Sequence, residues 1–597
     1  MIRVTSDRSG AVWTPSASGA ACGREAELVF VSRLVRLDNR DQLVDILEIG
    51  RASSVDAILL NGWSRWREGL PEKLKGQFAF AIFDNQNETL FIARDTFGEA
   101  PLFYFVGADR IVVADASRTV RELAGCDLQP NLQACADFLN GGYGTQDSTF
   151  FDGLSRLPAG CWTKFHGTFS SPITRYWSPA QFGKDREMAC NPADQVAAFR
   201  DAFDRSVMAR YQPGSTAILL SGGLDSSAIL GSLIAQGVAP RDISCLIKTY
   251  RKSRDWRDER SLASLQRHFG LAFHEIASDR HDPLQDMETW LEVLDGPYVS
   301  YGHSVASNLL FEAKRVGWHS LYSGHGGDEV VGYGMGRINE LARQGRWFEV
   351  WRETKGMALL GGQSRVRIMR KYLTHNPGYR RLERHLLRVF PDAQQDPNVS
   401  LNDHAAALLG EFGTAKASSI LRSDHDDLML QIEALEDPVQ QLALETINQS
   451  GRSLGITTQM PFYDRDLVEL SLSLPSSLKL QDGMSRYVLR AAMSGRLPDD
   501  VLSRQDKFDF TDPFVAGLVA HKERILDLTQ QGEGGLLTDL AHAGRLKRVR
   551  DQLARTGTGL VPEDAHFIWR CSVLAIWQGQ LKTSSGLSVQ DASAGQP

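Results

Sequence analysis

Two stretches carry residues whose types and spacing can do chemistry on a phosphate. The first is Leu219-Leu220-Ser221-Gly222-Gly223-Leu224-Asp225-Ser226-Ser227. Ala217 to Leu220 is an apolar run that reads as a buried strand, and Ala228 to Ile234 is an apolar run with helical character, so the glycines fall at a strand-to-helix turn. An anion docks well there. Glycines without Cβ let backbone N–H groups approach phosphate oxygens, Ser221 and Ser226 add hydroxyl donors, and the helix N-terminus adds partial positive charge. Asp225 would repel those phosphates unless a divalent cation stood between them, which implies Mg²⁺ bridging to a nucleotide. The plainer alternative is a tight turn that needed two glycines and a serine cap. The second stretch, Leu321-Tyr322-Ser323-Gly324-His325-Gly326-Gly327-Asp328-Glu329, again ends a short strand in glycines and an acid. Two such ends facing each other across a sheet would place Asp225 and Asp328 on the same Mg²⁺ ions.

The elements around these turns predict how they are held. Ile243 to Lys248 reads as a second strand and Glu259 to Phe269 as a helix, which with Ala217 to Leu220 gives the βαβ alternation of a parallel, doubly wound sheet. Ligands bind at the carboxyl ends of such strands, so backbone atoms near Leu220 and Ile247 are placed to flank an adenine. The chain before residue 190 has a different grain. Phe78 to Phe83, Leu90 to Ala93 and Pro101 to Phe105 read as neighbouring antiparallel strands, with Asp84-Asn85 and Phe97-Gly98 at the turns. Pro/Gly density from Asp137 to Cys161 and the polar segment Gly183 to Asp194 predict a boundary near residue 190, followed by a helix around Ala193 to Arg210.

The first stretch lacks the Gly-Lys-Ser/Thr ending of a P-loop and the glycine spacing of a dinucleotide fold. It resembles the S-G-G-x-D-S pyrophosphate loop of the ATP pyrophosphatase family, whose members cleave ATP between the α and β phosphates to adenylate a carbonyl or carboxylate. The second resembles that family's S-G-x-G-x-D motif, whose Ser and Gly also contact the nucleotide. Leu74-x-Gly76-x-Phe78 to Asp84, followed by Arg94-Asp95-x-x-Gly98-x-x-Pro101-Leu102, looks like the glutamine-hydrolysing domain of asparagine synthetases; Arg36 to Arg40 resembles a further segment of it. The resemblance implies a β-rich, Ntn-hydrolase-like (class II glutaminase-like) sandwich over residues 1–189. Over 190–597 it implies a doubly wound α/β ATP pyrophosphatase (adenine nucleotide α hydrolase-like) domain with extra helices. The nucleotide would be held by Leu220, Ser221, Gly222, Gly223, Asp225, Ser226, Ile247, Ser323 and Gly324, with Mg²⁺ on Asp225 and Asp328.

Three departures from the family pattern shape the functional expectation. Working glutaminase domains place a nucleophilic cysteine directly after the initiator Met; here residue 2 is Ile2, and Cys22 lies in a region unlike that start, so no ammonia from glutamine is expected. Arg94, Asp95 and Gly98 are then read as a turn held by a salt bridge. Gly455 to Asp464 resembles the G-V-E-x-R-x-P-F-L-D element of asparagine synthetases, but Thr457 replaces the Glu and Gln459 the Arg, which removes both charges from the aspartate-binding chemistry. Arg504-Gln505-Asp506-Lys507-Phe508-Asp509-Phe510 looks like the family segment whose lysine stabilises phosphate charge, making Lys507 the candidate for that role. His325 fills the variable position of the second motif, where β-lactam synthetases carry a Tyr that helps to deprotonate an amine; the alternative is a histidine that only hydrogen-bonds within the loop.

Without ammonia, the attacking amine comes most economically from the substrate itself, and the product is a ring. Leu489 to Phe510 looks most like the lasso-peptide cyclases. They adenylate an Asp or Glu side chain and close a macrolactam with the peptide's N-terminal amine. The partners implied are a precursor peptide, a leader-binding protein and a leader peptidase. β-Lactam synthesis, asparagine synthesis from free ammonia and a non-catalytic scaffold subunit remain open alternatives.

Composition agrees with an enzyme of this kind. The 597 residues suffice for several domains, and a net charge of −7 argues against a broad basic surface for nucleic acid. No apolar run is long enough for a membrane span and the start has no signal-like core, so a cytoplasmic location is expected. The seven cysteines lack C-x-x-C pairing, which predicts buried free thiols rather than zinc or disulfides. Arg365 to Arg388 is strongly basic and Asp424 to Asp437 acidic; solvated helix faces are the favoured reading over a patch for an acidic partner.

Overall fold

The computed structural model describes residues 2–4, 10–13, 26–32, 34–182, 191–249, 257–277, 282–297, 300–361, 364–366, 369, 401–409, 425–505, 511–532, 534–555 and 560–593. Lys507, Cys22, Cys190 and most of the basic segment 365–388 lie outside them.

The N-terminal part is four layers deep. Strands Ala79–Asp84 and Thr89–Arg94 form an antiparallel hairpin, Ala79 opposite Arg94 and Asp84 opposite Thr89, inside a six-stranded sheet. Asp84 closes its turn by accepting from Gln86 N–H at 2.9 Å. Because side chains alternate along a strand, Ala79, Ala81, Leu90 and Ile92 face a second, five-stranded sheet and pack on its Ile111 and Val113. Phe80, Ile82 and Phe91 face the other way, onto Ile58, Leu59 and Trp63 of the helix Val55–Trp66. The outer face of the second sheet is covered likewise by Val120 and Cys135 from helices Ser117–Ala124 and Leu132–Leu139.

One strand expected beside this hairpin lies elsewhere. Phe103–Val106 pairs with Ile111–Ala114 in the second sheet, so the turn at residues 95–100 carries the chain from one layer to the other. The turn is not closed by an Arg94–Asp95 salt bridge. Asp95 accepts from the N–H groups of Phe97, Glu99 and Ala100, while the Arg94 guanidinium donates to the carbonyls of Gly98, Ala100 and Leu157.

The C-terminal part is built on a five-stranded parallel sheet in the order Phe273–Ala277, Ser244–Thr249, Thr216–Leu219, Ser320–Tyr322, Thr457–Gln459. Thr216–Leu219 is central, and both faces are covered. Ile218, Cys245, Ile247 and Tyr322 pack with helices that include Pro192–Ala209 and Leu224–Ala235. Ala217 and Leu321 pack on the opposite side with Tyr301–Val316 and the C-terminal helices. Asn191 caps the helix Pro192–Ala209 by accepting from Ala193 N–H, with Pro192 at its first position. Cys135, Cys161, Cys245 and Cys571 are buried free thiols; Cys126 is exposed. Among the described residues no helix is long and apolar enough to cross a membrane.

The two parts meet through buried ion pairs. Glu445, on the helix Pro438–Ser453, is bridged by Arg94 at 2.6 Å and Arg156 at 2.9 Å, all three side chains almost fully buried. Arg210 reaches Asp38 at 3.0 Å, and Arg452 reaches Asp115 at 2.6 Å. Removing one member of such a pair leaves charge buried without compensation. Glu445→Ala should therefore cost about 3–5 kcal/mol in urea unfolding, and Glu445→Gln distinctly less. An unchanged midpoint for Glu445→Ala would show that the junction is held by other contacts.

Candidate active site

The central strand ends where its last ladder bond forms, from Leu220 N–H to the Leu246 carbonyl at 2.9 Å. Gly222 then takes φ +72°, a conformation open to glycine, and the helix Leu224–Ala235 begins directly after Gly223. The turn is tied from within: Ser221 N–H donates to Ser226 Oγ at 3.2 Å, and Gly223 N–H to Ser221 Oγ at 3.2 Å. These hydroxyls and amides sit at the N-terminus of a twelve-residue helix, where an anion is favoured.

The second loop lies against the first. Ser320–Tyr322 pairs with the central strand, and Ser323 N–H donates to the Gln459 carbonyl at 2.9 Å, which carries the turn out at the same edge. The glycines are required by contact. A Cβ on Gly324 would stand 2.9 Å from Ser226 N, and one on Gly327 would stand 2.4 Å from Asp225 Cγ. His325 N–H donates to Ser323 Oγ at 3.2 Å, and its ring lies 5.8 Å from that of Tyr463.

The structure thus gathers Ser221, Gly222, Gly223, Asp225 and Ser226 with Ser323, Gly324, His325 and Asp328. Ile247 lies within the strand Ser244–Thr249, level with Leu220 just past the end of the central strand, and the Leu220 N–H is already used in the ladder. The segment leading to Lys507 reaches the site: Arg504 Nη1 donates to the Gly222 carbonyl at 3.2 Å.

Sequence reasoning missed the group at the centre. Arg486 Nη1 stands 2.7 Å from Asp225 Oδ2 and 2.8 Å from Asp328 Oδ1, so one cationic nitrogen joins both carboxylates. Burial disfavours its charge, but Asp225 and Asp328 outweigh that and hold its pKa above the usual value. Its guanidinium also lies 5.6 Å from the Tyr333 ring. Burial, and after it Asp328, push the Tyr333 hydroxyl upward, so it stays a proton donor. Its immediate neighbours, Ser485 and Tyr487, do not mark it, and the Asp482-Gly483 pair just before it reads only as a hairpin turn. The one local sign is backbone: φ +53°, where non-glycine residues are uncommon.

Two carboxylates converging on a point that accepts positive charge, beside a turn suited to an anion, form an arrangement that could take a phosphate through a bridging metal ion. Asp225 and Asp328 could hold one Mg²⁺, which commonly takes only one or two carboxylates and completes its shell with phosphate and water. Among the described residues no cluster of three or more His, Cys, Asp or Glu forms a closed metal cage.

Comparison with known proteins gives the class. The family profile described as asparagine synthase matches residues 198–577, and that of the glutamine amidotransferase domain matches residues 40–177. The chain belongs to the asparagine synthase family, whose members are ATP-dependent amide-forming ligases. It is 25% identical over 476 residues to glutamine-hydrolyzing asparagine synthetase 3 of Bacillus subtilis (strain 168), covering 75% of this chain and 69% of that protein. It is also 25% identical over 527 residues to a glutamine-hydrolyzing asparagine synthetase, named as putative, of Mycobacterium bovis, covering 82% of this chain and 75% of that one. Among solved structures, glutamine phosphoribosylpyrophosphate amidotransferase from B. subtilis with ADP and GMP matches 46% of this chain and 63% of its own at 12% identity. Its TM-score of 0.18 is too low to bear on the fold.

The packing of the two loops is open to a direct check. Gly324→Ala should force them apart and lower stability by about 1–3 kcal/mol, as overpacking does. Gly579→Ala, where a Cβ meets nothing within 4 Å, serves as the control and should be neutral or stabilising. Equal melting temperatures for Gly324→Ala and wild type would mean the loops are not in this contact.

Proposed function

We propose that this protein closes a macrolactam in a ribosomally made peptide of the lasso type. It would adenylate an Asp or Glu side chain with ATP and let the peptide's N-terminal amine displace AMP. The observation that carries the reading is the convergence of Asp225 and Asp328 beside the Ser221–Ser226 turn. When bound, Mg²⁺ on these carboxylates would compensate the charge of the triphosphate. The chain supplies the rest. Ser221, Gly222, Gly223 and Ser226 bind the departing pyrophosphate, Ser323 and Gly324 hold the nucleotide from the facing loop, and Leu220 and Ile247 flank the adenine. Arg486 and Lys507 offset negative charge that grows as the α–β bond breaks.

Four of the five described thiols speak against ammonia from glutamine and so for an intramolecular amine, Cys126 being the exposed one. Burial pushes Cys135, Cys245 and Cys571 up to about 12 and Cys161 up to about 11, far from the accessible thiolate that glutamine hydrolysis needs. Asparagine synthesis is disfavoured at the strand Thr457–Gln459. Thr457 is an exposed hydroxyl, and the Gln459 carboxamide accepts from Arg36 at 3.3 Å, so neither position offers an amino acid the charges it would pair with. A precursor peptide is the substrate in this reading, with a leader-binding protein and leader peptidase as pathway partners.

Asp225→Ala and Asp328→Ala should each abolish AMP and pyrophosphate formation with peptide and ATP, glutamine being omitted throughout. Near-normal turnover in both variants would defeat the reading, and a strict requirement for glutamine would defeat the ring-closing half of it.

His325 is assigned the proton of the attacking amine. An α-amine has a pKa of about 8 and must be neutral to attack, and an imidazole of about 6.5 can take its proton. His325→Ala should leave peptide-dependent pyrophosphate exchange intact, slow ring closure by roughly 10²-fold, and recover in part at high pH. Equal loss of exchange and closure would mark a histidine that only shapes the loop.

A further inference from the structure

Beside the phosphate-binding turn lies a buried amine that nothing above has used. Lys248 is the fifth residue of the strand Ser244–Thr249, next to the central strand. Its Nζ is shut off from solvent and has no hydrogen-bond partner among the described residues; the same holds for the hydroxyl of the following residue, Thr249. Two adjacent polar groups left this way on one strand end are costly. An unmade hydrogen bond on a buried donor forfeits about 1–3 kcal/mol, and more when the donor is charged. Such groups call for a partner that arrives with a ligand.

The register says which ligand. Leu219 pairs with Leu246 in parallel, so two residues on, Lys248 stands level with Ser221, at the carboxyl edge where a doubly wound sheet binds its ligands. On its other side Lys248 pairs with Ile276. Of the charged groups on that flanking strand, Glu275 is exposed and pairs with Ile247, which points to the opposite face, and His274 is engaged with Glu312. Burial lowers the Lys248 pKa, to about 7, and no carboxylate of the described residues contributes. An amine with a turn suited to anions on one side and no acid partner among the described residues is matched to an anionic oxygen.

We propose that Lys248 is a nucleotide-binding residue whose ammonium takes a phosphoryl oxygen of the ATP held at Ser221–Ser226. The assignment rests on the ATP-using reading of this site. In the free protein the amine spends much of its time neutral, which lowers the cost of burying it; an incoming phosphate restores the proton and the charge. Nucleotide binding is then coupled to proton uptake.

The test is calorimetric titration of the full chain with ATP·Mg²⁺ at pH 8, in buffers of differing ionisation enthalpy, for wild type, Lys248→Met and Lys248→Arg. Wild type should take up roughly one proton per nucleotide. Lys248→Met should bind roughly 10- to 100-fold more weakly with that uptake gone, while melting no lower than wild type because an unpartnered buried amine has been removed. Lys248→Arg should keep more of the affinity. Wild-type affinity in Lys248→Met, or no proton uptake by wild type, overturns the assignment; the second readout stands even if the Met variant does not fold. Failure of wild type to bind ATP·Mg²⁺ at all would overturn the ATP reading along with it.

Discussion

Everything in the C-terminal part turns on two carboxylates being held close enough to share one cation. Asp225 and Asp328 repel each other, and they are brought onto a single point by Arg486 Nη1 at 2.7 and 2.8 Å. The three residues come from segments more than a hundred residues apart, so the arrangement exists only because adjoining parallel strands end at one edge and the helix Tyr487–Ala492 starts beside it. The glycines follow from the same constraint. At Gly324 and Gly327 the backbone of one loop touches the other, and any side chain would separate the carboxylates.

Charge at this edge is graded. Arg486 keeps its proton because two carboxylates offset the desolvation of its guanidinium, whereas Lys248, on the strand beside the central one, has burial without a carboxylate among the described residues and falls to about 7. In the proposed reaction, a site that binds a polyanion and releases its products would have use for both kinds of cation: one fixed, to offset the two acids, and one that charges when phosphate arrives. The facing loop adds Tyr333, kept protonated by burial and by Asp328, as a neutral donor at the same place.

The N-terminal layers serve the site as a foundation. Arg94 knots the turn between the two sheets and spends its remaining donor on Glu445 at 2.6 Å, and Asn448, on the same helix as Glu445, donates to the Glu99 carbonyl at 2.8 Å. That helix in turn reaches the fifth strand through Asn448, which accepts from Thr458 Oγ1 at 2.5 Å. A segment that resembles catalytic machinery of a glutaminase thus acts here as a joint, and the strand end that carries Gln459 is fixed by Arg36 from the N-terminal side. The four-layer order of this part is what gives Arg94 and Arg36 fixed positions from which to act.

Local chemistry made the two glycine turns, their acids and the strand-turn-helix setting legible in the sequence. A φ near +72° at Gly222, helix caps such as Asn191 and alternation such as Phe80 against Ala81 depend on neighbours within a few residues. The parallel sheet was legible for the same reason, since apolar runs alternated with helical ones. What the sequence could not reveal were the contacts made across it. Phe103–Val106 reads as one more strand of its hairpin and belongs to the other sheet, because the Asp95 turn sends the chain to a second layer. Arg94 reads as half of a local salt bridge and is paired with Glu445, 351 residues away. Arg486 and Lys248 lie in stretches with no distinguishing pattern. Their meaning comes from what surrounds them in space: burial and the charges nearby decide what a cation does, and only the folded chain sets either.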